Sequence, residues 1–314
     1  MITISVPSKV HILGEHSVVH SKPALLAAIN KRISITIVPS RIKQIHGIQE
    51  HVKEVKELLE ILEAEIKKRT KKKIGLYSIR INSQVPVGSG LGSSAALSAG
   101  LTAALLSFQK TPWNKKTIFD IAYEGEKFFH GNPSGGDLAT AIEGGFLWFR
   151  KEFEFLKTFA LLPFKPHKNI KQFILINSGK PRESTKEMVE KVAELKTSFP
   201  QKAQLLFNSQ EELTKQIAIA LKDGDENGII ECIKSSERNL EELGVVGRKA
   251  QSIIRKIEKM GGAAKISGGG GIKRGSGMLL VYHKDLKKML SYAKLNNLEA
   301  LTIKTGEEGL RRDE

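Results

Sequence analysis

Pro86-Val87-Gly88-Ser89-Gly90-Leu91-Gly92-Ser93-Ser94-Ala95-Ala96 is the stretch from which the rest of the chain is best read. Glycines at alternate positions strip side chains from the backbone, so its N–H groups are free to face an anion. A helix should begin at Ser93 or Ser94, both good capping residues. The first N–H groups of a helix are unpaired and its dipole is positive there, which favours phosphate. A serine hydroxyl at that place also suits the magnesium that accompanies a nucleotide. The stretch is not a Walker A loop, because no Gly-Lys-Ser/Thr follows at the required spacing. It is not a dinucleotide fingerprint either, because Gly88-Ser89-Gly90-Leu91-Gly92 lacks the G-x-G-x-x-G spacing. A plain glycine turn ahead of a buried helix would explain it equally well, so the flanking segments must decide.

Before it, Ile2 to Val6 alternates as a strand that Pro7 should end, and Ile33 to Ile37 alternates again. From Ile48 to Lys68, Val52, Val55, Leu58, Leu59, Leu62 and Ile66 recur at helical steps. The run Lys67 to Lys73 then reads as a solvated helix end, where cations are favoured. Tyr77, Ile79 and Ile81 mark another strand. After the glycines come an Ala/Leu helix to Leu106, a helix over 116–129 and a strand over 145–149. Between those last two lies His130-Gly131-Asn132-Pro133-Ser134-Gly135-Gly136-Asp137. The charged, proline-bearing stretch 152–169 reads as a domain joint. A strand over 173–177 and helices over 184–198, 202–222, 225–242 and 246–260 follow. The end reads strand 263–267, glycine loop, strand 278–282, helix 285–295, strand 298–304. Both element types alternate, so the class is mixed α/β, with helices packed on a sheet in each of two domains.

The 314 residues are enough for two domains, and 40% hydrophobic with 27% charged residues is ordinary globular composition. Fifty Lys+Arg against 34 Asp+Glu give +16, which admits nucleic acid, an anionic membrane surface or anionic metabolites as partners. The single Cys232 excludes a disulfide framework within the chain. The start lacks a basic then apolar pattern, no stretch approaches a membrane span, and a cytoplasmic location is expected.

Taken together and in order, three segments resemble the GHMP small-molecule kinases. They are Pro7 to Val19 (with Lys9, Glu15 and His16), the glycine stretch 86–96, and Lys265-Ile266-Ser267-Gly268-Gly269-Gly270-Gly271. The resemblance runs from Pro7 to the final strand. Gly14 to Val19 and His130 to Asp137 are similar to the members that phosphorylate mevalonate. It implies an α/β (α+β) two-domain fold: a ribosomal-protein-like nucleotide-binding domain over 1–160, a ferredoxin-like domain over 161–314, and an active-site cleft between them. The implied reaction is ATP plus (R)-mevalonate giving 5-phosphomevalonate, with Mg2+. Another kinase of the family, acting on phosphomevalonate, homoserine or a sugar, is the alternative.

The resemblance also implies roles. Asp137 is the catalytic base that takes the substrate hydroxyl proton, and Lys9 stabilises it as the anion. Asp137 also has the residue type of an N-cap for the short pattern Leu138 to Ile142. Pro86, Gly88, Ser89, Gly90, Leu91, Gly92, Ser93 and Ser94 cradle the nucleotide phosphates, Ser93 capping the helix or bonding a phosphate oxygen. Glu126 and Ser94 hold magnesium, while Glu124, roughly 200° round the helix, faces elsewhere. Glu15, His16, Thr185 and Gly268 line the substrate side, with His16 donating to it and Thr185 capping the helix that follows. His130 reads as structural, and Arg182 suits a carboxylate. One departure stands out: Ser267-Gly268-Gly269-Gly270-Gly271 lacks the family's usual alanine and runs into a basic loop with Lys273 and Arg274. The resemblance implies no nucleic-acid or membrane partner and leaves a homodimer open. A basic nucleic-acid-binding protein on a related fold is the competing class, weakened by only 6% aromatics.

Overall fold

The computed structural model describes residues 1–85, 90–131, 133–153, 155–170 and 172–313. In chain order the elements are β1 (Ile2–Leu13), β2 (Pro23–Pro39), β3 (Gln44–His46), α1 (Val52–Thr70), β4 (Tyr77–Ser83), α2 (Ser93–Phe108), α3 (Lys115–His130), α4 (Gly136–Glu143), β5 (Phe146–Lys151) and β6 (Lys157–Leu161). They continue as β7 (Phe173–Asn177), α5 (Thr185–Ser198), α6 (Pro200–Asp223), α7 (Glu226–Glu242), α8 (Arg248–Lys259), β8 (Ala263–Ile266), β9 (Met278–Tyr282), α9 (Leu286–Leu295), β10 (Ala300–Ile303) and β11 (Arg311–Arg312).

These form two compact units that do not follow the expected division at 160. The first comprises 1–9, 28–145 and 307–314; the second comprises 10–27 and 146–306. Strand pairing explains the difference. Pro23 to Ala27 pair antiparallel with β5, in register Pro23↔Arg150 to Ala27↔Phe146, which draws residues 10–27 into the second unit. The segment 152–169 is not a joint: it contains β6, paired to β5 in register Leu147↔Leu161. Charged residues there fall in the turn and edge strand of a hairpin, and Pro163 and Pro166 follow that strand.

In the first unit the strand order is β11-β1-β2-β4-β3, with β2 and β4 antiparallel from Ile33↔Ser83 to Pro39↔Tyr77. Pro7 does not end β1. Since β11 covers only Ile4 and Ser5, no strand among the described residues pairs with that side of β1 at Pro7, where the missing N–H would break a bond. Helices α1 to α4 cover one side. Ile35, Ile37, Ile79 and Ile81 from the sheet meet Leu58, Leu62, Ala99, Leu105 and Ile121 in one buried cluster. α2 is apolar almost all round because it is enclosed on nearly every side. The basic run after Ile66 is exposed, as its solvated reading requires. The C-terminal residues close this unit: Arg32 donates to Ser5 Oγ (2.6 Å), to Glu308 O (2.8 Å) and to Gly309 O (2.8 Å).

In the second unit β7 to β10 form an antiparallel sheet of order β10-β7-β9-β8. With a helix between β7 and β8 and another between β9 and β10, this is a βαββαβ ferredoxin-like arrangement enlarged by extra helices. Ile174, Ile176, Leu279 and Val281 pack on Met188, Val192, Ile254 and Ile257.

Candidate active site

The first unit brings Lys9, Ser94, Glu126 and Asp137 into one cluster. β1 delivers Lys9, whose backbone N–H donates to Leu91 O at 2.9 Å and so ties the strand to the glycine stretch. Its Nζ lies 3.0 Å from Asp137 Oδ1; the lysine side chain is 3% exposed and the aspartate 35%. A buried ammonium is thus paired with a carboxylate that remains partly open to solvent. Asp137 does not cap α4. Gly135, in the left-handed region at φ 83°, is the cap, and Asp137 is the second helical residue, within the turn where the helix dipole favours an anion.

Gly92, at φ 71°, likewise displaces Ser93 as the cap of α2. Ser93 and Ser94 are the first two helical residues. Ser94 Oγ stands 3.3 Å from Glu126 Oε2 and 3.0 Å from His130 Nε2. A chain in which His130 donates to Ser94 and Ser94 donates to Glu126 satisfies all three groups. Ser98, one turn on from Ser94, donates to Glu126 Oε1 at 3.2 Å. Gly125 lets α3 come this near: a Cβ there would stand 3.2 Å from Ser98 Oγ and 2.7 Å from Leu58 Cδ1. Burial, then the nearby Asp137 charge, push the Glu126 carboxyl up to about 7, against the two serines and Lys9. A buried carboxylate and a hydroxyl are hard oxygen donors, and a cation would relieve the penalty of ionising Glu126, so this pair fits magnesium. Burial also lowers His130, which stands at the exposed helix end. Glu124 faces elsewhere, paired with Lys127 at 2.7 Å. Pro86, Gly88 and Ser89 lie outside the described residues.

The second unit gathers Glu15, His16, Thr185 and the glycine turn. His16 adopts φ 60° at the entrance to a short 3-10 turn over Ser17–His20. Its Nε2 lies 3.1 Å from Gly269 O. Burial chiefly, then His20 and Lys265, bring it down to about 4 against the Gly269 bond. The ring is therefore neutral at neutral pH, its one N–H faces Gly269, and Nδ1 presents a buried lone pair. His16 thus offers an acceptor, not the donor expected. Thr185 does not cap α5, because Ser184 does so in a capping box with Glu187. Thr185 is exposed at the first helical position, and a Cβ on Gly269 would lie 3.0 Å from its Oγ1. Gly268, at φ 106°, faces open space. Arg182 is exposed, as are Lys273 and Arg274; Glu183 accepts the N–H of Lys273 at 3.2 Å.

Sequence reasoning passed over three residues. Ser98 was within reach, being four positions from Ser94 on the same helix face. Lys265 is wholly buried and pairs with Glu15, which is also buried. Its signal was a lysine in a strand whose flanks, Ala264 and Ile266, are apolar. Glu237 is fully buried on α7, where Ile230, Ile233 and Leu240 define the apolar stripe that it interrupts.

A basic–acidic pair beside a glycine-led helix, in a two-unit α/β fold, defines a class of small-molecule phosphotransferase, and comparison bears this out. The family description "GHMP kinases N terminal domain" matches residues 53–145. Mevalonate kinase of Archaeoglobus fulgidus is 31% identical over 270 residues, covering 85% of this chain and 88% of that protein. The chain belongs to the GHMP kinase family. Within it, the relative from Aeropyrum pernix, also a mevalonate kinase, is 24% identical across 99% of this chain and 98% of its own. Among solved structures, L. major mevalonate kinase in complex with R-mevalonate matches with a TM-score of 0.80 at 20% identity, over 96% of this chain and 95% of that one. The shared fold is thus the GHMP kinase fold, and the chain is a kinase. Among the described residues no helix is long and apolar enough to cross a membrane.

Proposed function

We propose that this chain transfers the γ-phosphoryl group of ATP to the C5 hydroxyl of (R)-mevalonate. The observation that carries the phosphoryl-transfer reading is the Lys9–Asp137 pair at 3.0 Å beside the start of α2. The substrate rests on the family relationship to proteins named mevalonate kinase. Asp137 takes the hydroxyl proton as the oxygen forms its bond to the γ-phosphorus and the bond to ADP breaks. Lys9 pairs with Asp137 and offsets the negative charge that gathers. Gly90, Leu91, Gly92 and Ser93, together with Gly88 and Ser89, cradle the phosphates with backbone N–H groups, and Pro86, which has none, leads into the cradle. Ser94 and Glu126 would hold Mg2+, which supplies charge neutralisation on the phosphate oxygens when bound. Glu15, His16, Thr185 and Gly268 form the substrate side, His16 accepting from a substrate hydroxyl.

The test is steady-state ADP release with mevalonate, phosphomevalonate, homoserine and galactose side by side, with ATP and Mg2+. Mevalonate should give the highest kcat/KM by at least about a hundredfold, the discrimination that a site built to hydrogen-bond its substrate achieves. A higher value for any other acceptor would move the assignment to another branch of the family. Both substrates are anions, so part of the +16 charge serves to attract them; a cytoplasmic enzyme is consistent with this reading.

A further inference from the structure

A buried polar chain in the second unit runs to Glu15 and His16 from two residues, Glu237 and Lys265, that have none of the roles above. β8 is the edge strand of its sheet, bonded to β9 on one side. Ser267 N–H bonds Met278 O on that side, so the N–H and C=O of the preceding residue, Ile266, point off the edge. They are not bare. Ile266 N–H donates to Glu237 Oε2 at 3.0 Å, and Ile266 O accepts from Lys265 Nζ at 2.6 Å. Two side chains stand where another strand would, and both are fully buried. Lys265 Nζ also donates to Glu15 Oε1. Glu15 is followed by His16, whose ring meets Gly269 O. The chain of contacts therefore leaves the backbone at Ile266 and returns to it at Gly269, spanning the outlet at Ser267 and Gly268.

Glu237 stands at the head of this chain. α7 packs on β8, and a hydrophobic residue at 237 would continue its apolar stripe. Instead the position carries a carboxyl whose second oxygen, Oε1, is buried with no partner among the described residues. Such a group costs stability unless it has another use. Burial pushes it up to about 8, so at neutral pH it is largely the neutral acid, able to accept an amide N–H without adding a bare charge beside the Lys265–Glu15 pair.

We infer that Glu237 is a positioning residue for the substrate side of the site: by holding the Ile266 N–H it fixes the exit of β8, and through Lys265 and Glu15 it fixes His16 and the turn at Gly268. The inference rests on the proposed function only for which KM responds. Its effect on the backbone is independent of the substrate.

The full chain carrying Glu237→Gln or Glu237→Met tests it. Glutamine keeps an acceptor oxygen at the same reach, whereas methionine keeps the volume and has none. Losing one buried acceptor should raise the KM for mevalonate about fivefold to tenfold and speed amide hydrogen exchange at Ile266 by a similar factor in Glu237→Met. In that variant the KM for ATP should stay within about twofold, and Glu237→Gln should stay within about threefold of the parent throughout. Unchanged exchange at Ile266 and unchanged mevalonate KM in Glu237→Met would overturn the inference. So would an equal rise in both KM values, or a glutamine variant as impaired as the methionine one. If the parent does not phosphorylate mevalonate, the proposed function fails, and exchange at Ile266 in the two variants still decides this inference. If Glu237→Met does not fold, Glu237→Asp, which withdraws the carboxyl by one methylene, is read by the same two outcomes.

Discussion

Gly92 lies against the stem of Lys9: a Cβ at Gly92 would stand 2.9 Å from Lys9 Cγ, and the backbone there is at φ 71°. Gly92→Ala therefore meets both a strained backbone and a displaced lysine. It should lose about 1–2 kcal/mol of stability from the positive φ alone. It should also lose about tenfold in kcat as Nζ moves from Asp137. Thermal unfolding and kcat measured together check this; a variant that loses stability but keeps kcat would separate the glycine from the lysine.

Asp137→Asn keeps the shape and removes the proposed base. It should lower kcat by at least about a thousandfold while the affinity for ATP, read by calorimetry, stays within about threefold. Lys9→Met removes a charge that is 3% exposed and should cost kcat about a hundredfold or more. Undiminished turnover in Asp137→Asn would sink the base assignment.

Glu126→Gln replaces the carboxylate proposed to hold magnesium by a neutral amide. The Mg2+ concentration for half-maximal rate should rise about tenfold or more, and kcat should fall by one to two orders of magnitude. Ser98→Ala, which frees one Glu126 oxygen, should shift the same titration in a smaller step. Identical magnesium curves for the parent and Glu126→Gln would remove Glu126 from the metal site.

His16 gives the fold an acid limit. Its folded-state value, about 4, lies below the ordinary 6.5, so it stabilises the fold above about pH 6.5 and the stabilisation drains away as pH falls toward 4. His20, also lowered to about 4 by burial and Lys196, acts in the same window. Full loss of the His16 contribution is worth at most roughly 3 kcal/mol. Unfolding free energy between pH 7 and pH 4 should fall less steeply in His16→Asn, which retains a donor for Gly269 O. Parallel pH profiles for parent and variant would show that His16 does not set the slope.

Lys265 and Glu15 are both almost wholly enclosed, so either single removal strands a charge. Glu15→Gln or Lys265→Met should destabilise by about 3–5 kcal/mol. The double variant should recover part of that loss. Urea unfolding of the parent, both singles and the double gives the coupling. Additive losses would mean that the two side chains act separately.

Local pattern made most elements readable, and the order of small motifs made the family readable. The strand over 173–177 falls where its apolar run puts it, and Glu124 points away from the site as helical geometry requires. The errors share a cause. Pro7 is expected to end β1, Ser93 and Thr185 to cap their helices and 152–169 to be a joint; the cap alternative to the base role of Asp137 also fails. Each of those readings used residue type without knowing the neighbour across space. Pro7 survives because β11 is short, and glycines Gly92 and Gly135 take the caps by reaching φ values that other residues avoid. Glu237 and Lys265 were hidden for the same reason, since nothing local tells that β8 is an edge whose backbone groups need side-chain partners.

Residues 307–314 belong to the first unit, with β11 on β1 and the Glu308 and Gly309 carbonyls on Arg32. On the ribosome they emerge after every residue of the second unit. The unit that carries the Lys9–Asp137 pair therefore has its sheet edge open and the Arg32 guanidinium short of these acceptors until the second unit has been made. The order of translation makes the older part of the chain wait for the younger, so the first unit closes only after the second has been made.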